Sequence, residues 1–449
     1  MILRFKMSIL LVAAAFQTGC AVGQSPSGSD ERSGTGGDAA GEGGNTADAA
    51  GTGGESSAAG AGGTSAAGGR SSSGGVSGSS TGATHAGGGS GSDGASTGGT
   101  SGSGGLGTGG SNPGAGGQGG SPPSGEWVNV TANLAGMSSE CGNLSYVSAK
   151  PDEDMLIAAV AQHGLWTSTN GGQSWSELGT GTGSEDIPNI VQLVVYDPDH
   201  PATYWEAGIY HQPGVFRTAD DGKTFHSLGT IWHNDTVSVD FTDPERKTLL
   251  AGGHERVQTV QRSTDGGQTW ENVGANLPSG TNHSSYAYVV DSQTHLVGCS
   301  GWAGGITGIF RTTDGGQHWK LASDSGGAFS PLKHTDGSLY WASPNGAGMV
   351  RSTDEGATWQ SDVGSGQVQS VSPVELPDGR VATLGPSGIV VSSDQGATWR
   401  VVTTTAFPYT AYGLTYSKFR KAFFVSHFTC DAAVANDAIM RYDFDYETQ

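Results

Sequence analysis

Cysteine, positive charge and long apolar runs are all scarce in this chain of 449 residues. Its four cysteines are too few to staple a disulfide-built scaffold. Lys and Arg number 21 against 42 Asp and Glu, a net charge of −21, which disfavours a polyanionic nucleic-acid partner. No stretch approaches the roughly 20 apolar residues that a helix needs to cross a bilayer. Residues 21–125 contain no Phe, Trp or Tyr, have only Val22, Val76 and Leu106 as larger aliphatics, and hold 39 of the 78 glycines. That stretch cannot build a core, and its Gly, Ser and Ala steps describe a flexible, disordered tether.

At the front, Arg4 and Lys6 precede an apolar run at 7–16 and then Cys20, the order of a secretory signal. Residues 1–20 resemble a bacterial lipoprotein signal, with Gln17 where those signals usually carry Leu. The resemblance implies that Cys20 becomes the acylated N-terminus, and ordinary secretion is the alternative. Either reading predicts an extracytoplasmic protein, at the outer membrane or cell surface if lipidated and otherwise secreted, touching membrane only through the anchor.

The remaining 324 residues, 126–449, hold all 11 Trp and all 12 Tyr and carry a net charge of −18, the make-up of one large folded domain. An octapeptide recurs there six times, at 168–175, 218–225, 263–270, 312–319, 352–359 and 392–399. The third copy reads Ser-Thr-Asp-Gly-Gly-Gln-Thr-Trp. An acid that accepts turn amides, a glycine in a dihedral region closed to other residues and a closing aromatic that anchors the turn describe a hairpin. The closing aromatics recur about every 45 residues, the pitch of a propeller blade of four antiparallel strands. Division of the domain by that pitch predicts an all-β, seven-bladed β-propeller. The seventh blade is split: 127–134 matches 270–277, and 438–443 matches the strand before a box. An N-terminal strand is therefore expected to close the last blade.

The boxes identify 126–449 as similar to the Asp-box (BNR-repeat) propellers: sialidases, xyloglucan-cleaving glycosidases, sortilin-type receptors and photosystem assembly factors. In those relatives the boxes serve structure on the face away from the ligand, and Arg217, Arg262, Arg311 and Arg351, which precede boxes, read as scaffold with them. Sialidases hold their substrate with three arginines, one from early in the fold, but no arginine stands between Arg70 and Arg217. A classical sialidase is not expected. Neither the cysteine-rich region of sortilins nor the second propeller of the xyloglucanases is present in this sequence.

Function must therefore come from the rim. Counting back from each box places His163, Tyr210, His211, His254, Glu255, Arg256 and His427 after second strands, and Glu140, His233, Asp235 and His283 between blades, all on one face, with Trp302 on blade four. The catalytic candidates are His211, His254, Tyr210, His163 and His427. The substrate-binding candidates are His233, His283, Trp302, Glu140, Asp235, Glu255 and Arg256. Imidazoles near neutral pH can act as acid, base or ligand. No short His-x-x-x-His spacing supports a metal, and no cofactor is expected, although a divalent ion is compatible with so many imidazoles. Two function classes emerge: an enzyme acting on an extracellular polysaccharide or oligosaccharide, as hydrolase or lyase, or a non-catalytic propeller that binds a glycan or a protein. Net acidity and a single rim arginine favour a neutral glycan. A monomer is expected. Cys141 and Cys430, on neighbouring blades across the closure, are a candidate disulfide in an oxidising compartment, two separate thiols being the alternative, and Cys299 is left free.

Overall fold

The computed structural model describes residues 125–137, 143–283, 285–300, 304–344, 348–364, 368, 371–428 and 437–449. Seven four-stranded antiparallel sheets succeed one another along the chain. Blades one to six occupy 146–177, 190–227, 234–272, 286–323, 328–363 and 374–401, with their strands paired in sequence order. First strands touch one another around the ring, as Tyr146–Ala149 touches both Gly413–Ser417 and Ile190–Tyr196. They surround the axis, so the loops that enter first strands and those that leave second strands share one rim, and the boxes lie at the other.

Second strands are near-continuous apolar runs because each blade is covered on both faces. In blade two, Tyr204 packs with Ile157, Val194 and Phe216 on one side, and its chain neighbour Trp205 packs with Val237 and Leu249 on the other. The 3-10 segments Ala132–Leu134 and Val273–Asn276 are short, and no α-helix occurs among the described residues.

The boxes show why their residue types recur. In the third, Ser263 Oγ donates to Asp265 Oδ1 (2.8 Å) and accepts the Gly267 N–H (2.8 Å), while Asp265 accepts the Thr269 N–H (2.9 Å). Two consecutive residues, Gly266 and Gly267, have φ of 76° and 93°. At the first of these positions other boxes carry Asp221, Glu355 and Gln395, also with positive φ. The second is glycine in all six. A Cβ on Gly267 would lie 2.9 Å from Leu228 Cβ, whereas one on Gly266 would meet nothing nearer than 3.9 Å. Close approach, added to the left-handed backbone, explains the invariant glycine.

Blade seven takes three strands from 413–443, and Trp127–Asn129 pairs with Ala438–Asp443, with Trp127 opposite Tyr442 and Asn129 opposite Met440. The residues after Trp127 repeat the contacts of those after Trp270. Asn129 accepts the Thr131 N–H (2.9 Å) as Asn272 accepts the Gly274 N–H (3.1 Å). Val130 and Val273 each offer a carbonyl to a box tryptophan of the next blade, Trp175 and Trp319, both at 3.1 Å. The Trp127 segment thus docks blade seven on blade one as the Trp270 segment docks blade three on blade four.

The arginines before boxes are scaffold: Arg217 and Arg351 lie over Trp205 and Tyr340 at 5.4 and 5.6 Å, Arg262 pairs with Glu271 at 3.1 Å, and Arg311 donates to the Glu355 carbonyl at 3.1 Å. Cys299 is a free, buried thiol in the second strand of blade four. Cys20, Cys141 and Cys430 lie outside the described residues.

Candidate functional site

Three loops of blades two and three meet on the rim. Tyr210 follows the second strand of blade two, Tyr204–Ile209; His233 precedes the first strand of blade three, Asn234–Val239; His254 follows its second strand, Leu249–Gly253. Backbone bonds stitch them together. The His254 N–H donates to the His233 carbonyl at 2.7 Å, and the Tyr210 N–H donates to His233 Nδ1 at 2.9 Å. The rings converge: His233 and His254 have centroids 4.8 Å apart, and Tyr210 lies 5.0 Å from the first and 5.5 Å from the second.

Asp235 reaches this cluster because the strand is irregular there. Asn234 pairs with Gly253 and Thr236 with Gly252, so Asp235 is the extra residue of a β-bulge, a device that re-aims a side chain. Its Oδ1 lies 2.8 Å from His254 Nδ1. A carboxylate only accepts, so Nδ1 carries the proton and in the neutral ring Nε2 holds the lone pair; that nitrogen is buried, has no hydrogen-bond partner and lies 3.7 Å from Glu255 Oε1. Burial alone would lower the pKa of His254, but Asp235 outweighs it and the pKa is raised above 6.5.

His233 is the opposite case. Its Nδ1 accepts the Tyr210 N–H, so in the neutral ring the proton sits on Nε2 and that atom is a donor. Burial, with the His254 and Arg256 charges, pushes its pKa down to about 4 against the opposing pull of Asp235. His233 therefore stays neutral across the physiological range. Tyr210, His233 and Glu255 also hold left-handed backbones, with φ of 66°, 63° and 50°, a cost on the order of 1–3 kcal/mol each that tends to gather at functional sites.

His233, His254 and Glu255 bring ligand atoms within 4.8 Å of one another, but the donor set suits a metal ion poorly. Ligation through His233 Nε2 would move its proton to Nδ1, directly against the Tyr210 N–H. In their neutral forms His254 offers an acceptor nitrogen and His233 a donor.

Arg256 lies over Trp232 at 5.4 Å, and the other neighbour of that indole is His233 at 5.2 Å. His283 is buried, and burial lowers its pKa against the pull of Glu255 and Asp235. The remaining rim residues have neighbours of their own. His211 Nε2 receives Gln162 Nε2 at 3.1 Å. His163 lines a cleft of about 300 Å³ between blades one and two, with Gln162, Glu185, Asp186 and Phe225. His427 is held by the Thr410 carbonyl at 2.7 Å and stacks on Tyr409 at 4.5 Å. Trp302 and Glu140 lie outside the described residues. Trp232, 39% exposed, was missed by the loop count although it directly precedes His233. The bulge at Asp235 has no sequence signal of its own.

The family described as BNR/Asp-box repeat matches residues 261–272. No curated protein matches the chain in sequence. Among solved structures, the chain is similar to the GH74 xyloglucanase from Xanthomonas campestris, with 17% identity, 72% of this chain and 56% of that one covered, and a TM-score of 0.46. It thus spans little more than half of the xyloglucanase. It is also similar to YCF48 bound to D1 peptide, with 15% identity, 71% and 97% covered, and a TM-score of 0.47. A streptogramin B lyase shares 11% identity over 70% of this chain and 96% of that one, with a TM-score of 0.50. At such identities the likeness bears on fold alone. Six boxes of one chemistry, the matched repeat and seven successive four-stranded sheets make the chain an Asp-box (BNR-repeat) β-propeller.

Proposed function

We propose that the chain is an extracytoplasmic propeller that acts as an enzyme on an extracellular glycan, through acid–base chemistry at the blade two–three rim. One observation carries this reading: Asp235 holds His254 Nδ1, so that the neutral ring keeps its lone pair on Nε2, in a cluster where the His233 ring, 4.8 Å away, carries a donor N–H. A site that only binds needs no carboxylate behind an imidazole, whereas a general base does. The signal at 1–20, the tether at 21–125 and acylation at Cys20 belong to the same proposal and would hold a monomeric domain at 126–449 near the cell surface. No helix among the described residues is long and apolar enough to cross a membrane.

The second reading, a non-catalytic glycan-binding propeller, rests on the exposed rim aromatics Trp232 and Tyr409, 39% and 38% accessible, since such rings stack on sugar faces. The full chain incubated with a panel of neutral and acidic polysaccharides separates the two. Release of new chain ends, lowered at least 100-fold by His254→Ala with an unchanged melting temperature, supports the enzyme. Retention on a polysaccharide without product, weakened by Trp232→Ala and not by His254→Ala, supports the binding module and sinks the catalytic reading.

A further inference from the structure

We propose that this site takes a uronic acid residue of an acidic glycan and cleaves the chain by β-elimination, a refinement that rests on the catalytic reading above. Hydrolysis of a glycosidic bond asks for two carboxyl groups facing each other across it, roughly 5–5.5 or 6.5–9.5 Å apart. The described part of the cluster does not offer that pair. Asp235 is held by His254 Nδ1 at 2.8 Å, and Glu255 lies 3.7 Å from Nε2 of the same ring, so both carboxylates flank one imidazole. The loops assemble instead a nitrogen base beside a neutral N–H donor. That set suits removal of a carbon-bound proton, with the base at the C–H and the donor at the oxygen on which charge collects.

A ring carbon of a sugar gives up its proton to such a base only when a carbonyl or carboxylate stands next to it, as at C5 of a uronic acid. Arg256 supplies the matching charge. Its guanidinium lies over Trp232, whose ring is tilted against His233 at 5.2 Å, and no described carboxylate lies within ion-pair distance of it. The chain's net charge of −21 favours a neutral glycan only weakly, because exposed charges beyond about 8–10 Å are screened at physiological salt. A single rim arginine counts against a polyuronate when read from the sequence, but its place over Trp232, the neighbour of His233, puts that one cation at the site.

In the step, His254 Nε2 takes the C5 proton, and the C–H electron pair moves onto the carboxylate, held by His233 Nε2–H and Arg256. The pair then returns to form the C4–C5 double bond as the C4–O bond breaks. The electrons of that bond leave on the glycosidic oxygen, which takes the proton from the His254 imidazolium. One glycan becomes an unsaturated chain end and a new hydroxyl end, with no oxidant, reductant or further reactant.

The test uses the full chain on polygalacturonate, alginate and a glucuronan, on their carboxyl-reduced forms and on xyloglucan, reading both the ultraviolet absorbance of unsaturated uronate and new reducing ends. Absorbance and reducing ends should rise together on a uronate polymer and not on its reduced form. His254→Ala should lower the rate at least 100-fold. Asp235→Asn, which removes the charge that raises His254, should shift the inflection of the pH–rate profile to lower pH, since the other groups facing that imidazole, His233, His283, Tyr210, Glu255 and Arg256, are unchanged. Should His254→Ala fail to fold, the Asp235→Asn profile and the carboxyl-reduced polymers still decide. Reducing ends without absorbance would overturn elimination and leave the catalytic reading standing. Absorbance undiminished in a folded His254→Ala variant would overturn the assignment of the base. No product from any polymer would overturn both readings.

Discussion

The paired left-handed positions of an Asp box should respond unequally to the same substitution. Gly266→Ala adds a methyl group with 3.9 Å of clearance to a residue at φ 76°. The left-handed conformation costs an L-residue about 1–2 kcal/mol, and nothing further is displaced. Gly267→Ala has the same backbone cost at φ 93°, but its Cβ would stand 2.9 Å from both Leu228 Cβ and Cδ1. The Cβ of Leu228 cannot swing away by a change of rotamer, so the backbone must shift and overpacking of about 1–3 kcal/mol is added. The expected losses are therefore about 1–2 and about 2–5 kcal/mol. Urea unfolding followed by tryptophan fluorescence reads both. Leu228→Gly, which removes the Cβ as well, combined with Gly267→Ala should recover part of the larger loss as a favourable coupling of about 1–3 kcal/mol, and should show none with Gly266→Ala. Equal losses from the two alanines, or no coupling, would refute the claim that contact with the preceding blade fixes the second glycine.

Asn133 exchanges two hydrogen bonds with the backbone of Trp175, at 3.0 and 2.8 Å, so Asn133→Ala should cost about 1–3 kcal/mol; an unchanged urea midpoint would remove that segment from the blade seven–one junction. Cys299 is fully buried, and burial pushes its thiol up to about 12. Iodoacetamide at pH 8 should label it only in denaturant, and native labelling would contradict its burial. Glu206 is buried in the second strand of blade two beside Asn189 (3.2 Å), and burial raises its pKa well above 4.5. A folded-state pKa above the unfolded one means stability that is complete below about 4.5 and is lost as pH rises towards the folded value. Glu206→Gln should flatten that decline, gaining stability relative to wild type between pH 5 and 8; parallel curves would show that Glu206 does not titrate in this way.

The all-β, seven-bladed fold was legible because each box carries its chemistry in one octapeptide. Hydroxyl, acid (Asn170 in the first box), glycine and aromatic lie within eight residues, so the repeat reports the turn without reference to anything distant. The pitch then fixes the blade count, and the apolar runs of the second strands result from burial on both faces. The site is another matter. Loop position could be counted from the boxes, and the counting named Tyr210, His233, Asp235, His254 and Glu255. Their mutual arrangement depends on a bulge that turns Asp235 out of the ladder and on left-handed backbones at Tyr210, His233 and Glu255. None of these residues is a glycine, so nothing in the sequence announces the conformation.

The protonation pattern is more distant still from the sequence, as His254 and His427 show. Both stand at the end of a second strand, and the blade repeat alone would make them alike. In blade three the adjoining first strand contributes Asp235, a charged acceptor that raises the basicity of His254. In blade seven the loop contributes the Thr410 carbonyl to Nδ1, a neutral acceptor, and Tyr409 stacks on the ring. A carbonyl orients an imidazole, whereas a carboxylate orients it and also stabilises the cation formed when it takes a proton. The difference between these two imidazoles thus lies in the partner of Nδ1, which comes from another strand or loop. Blade symmetry places the imidazoles, and the irregular loops between blades decide what each can do.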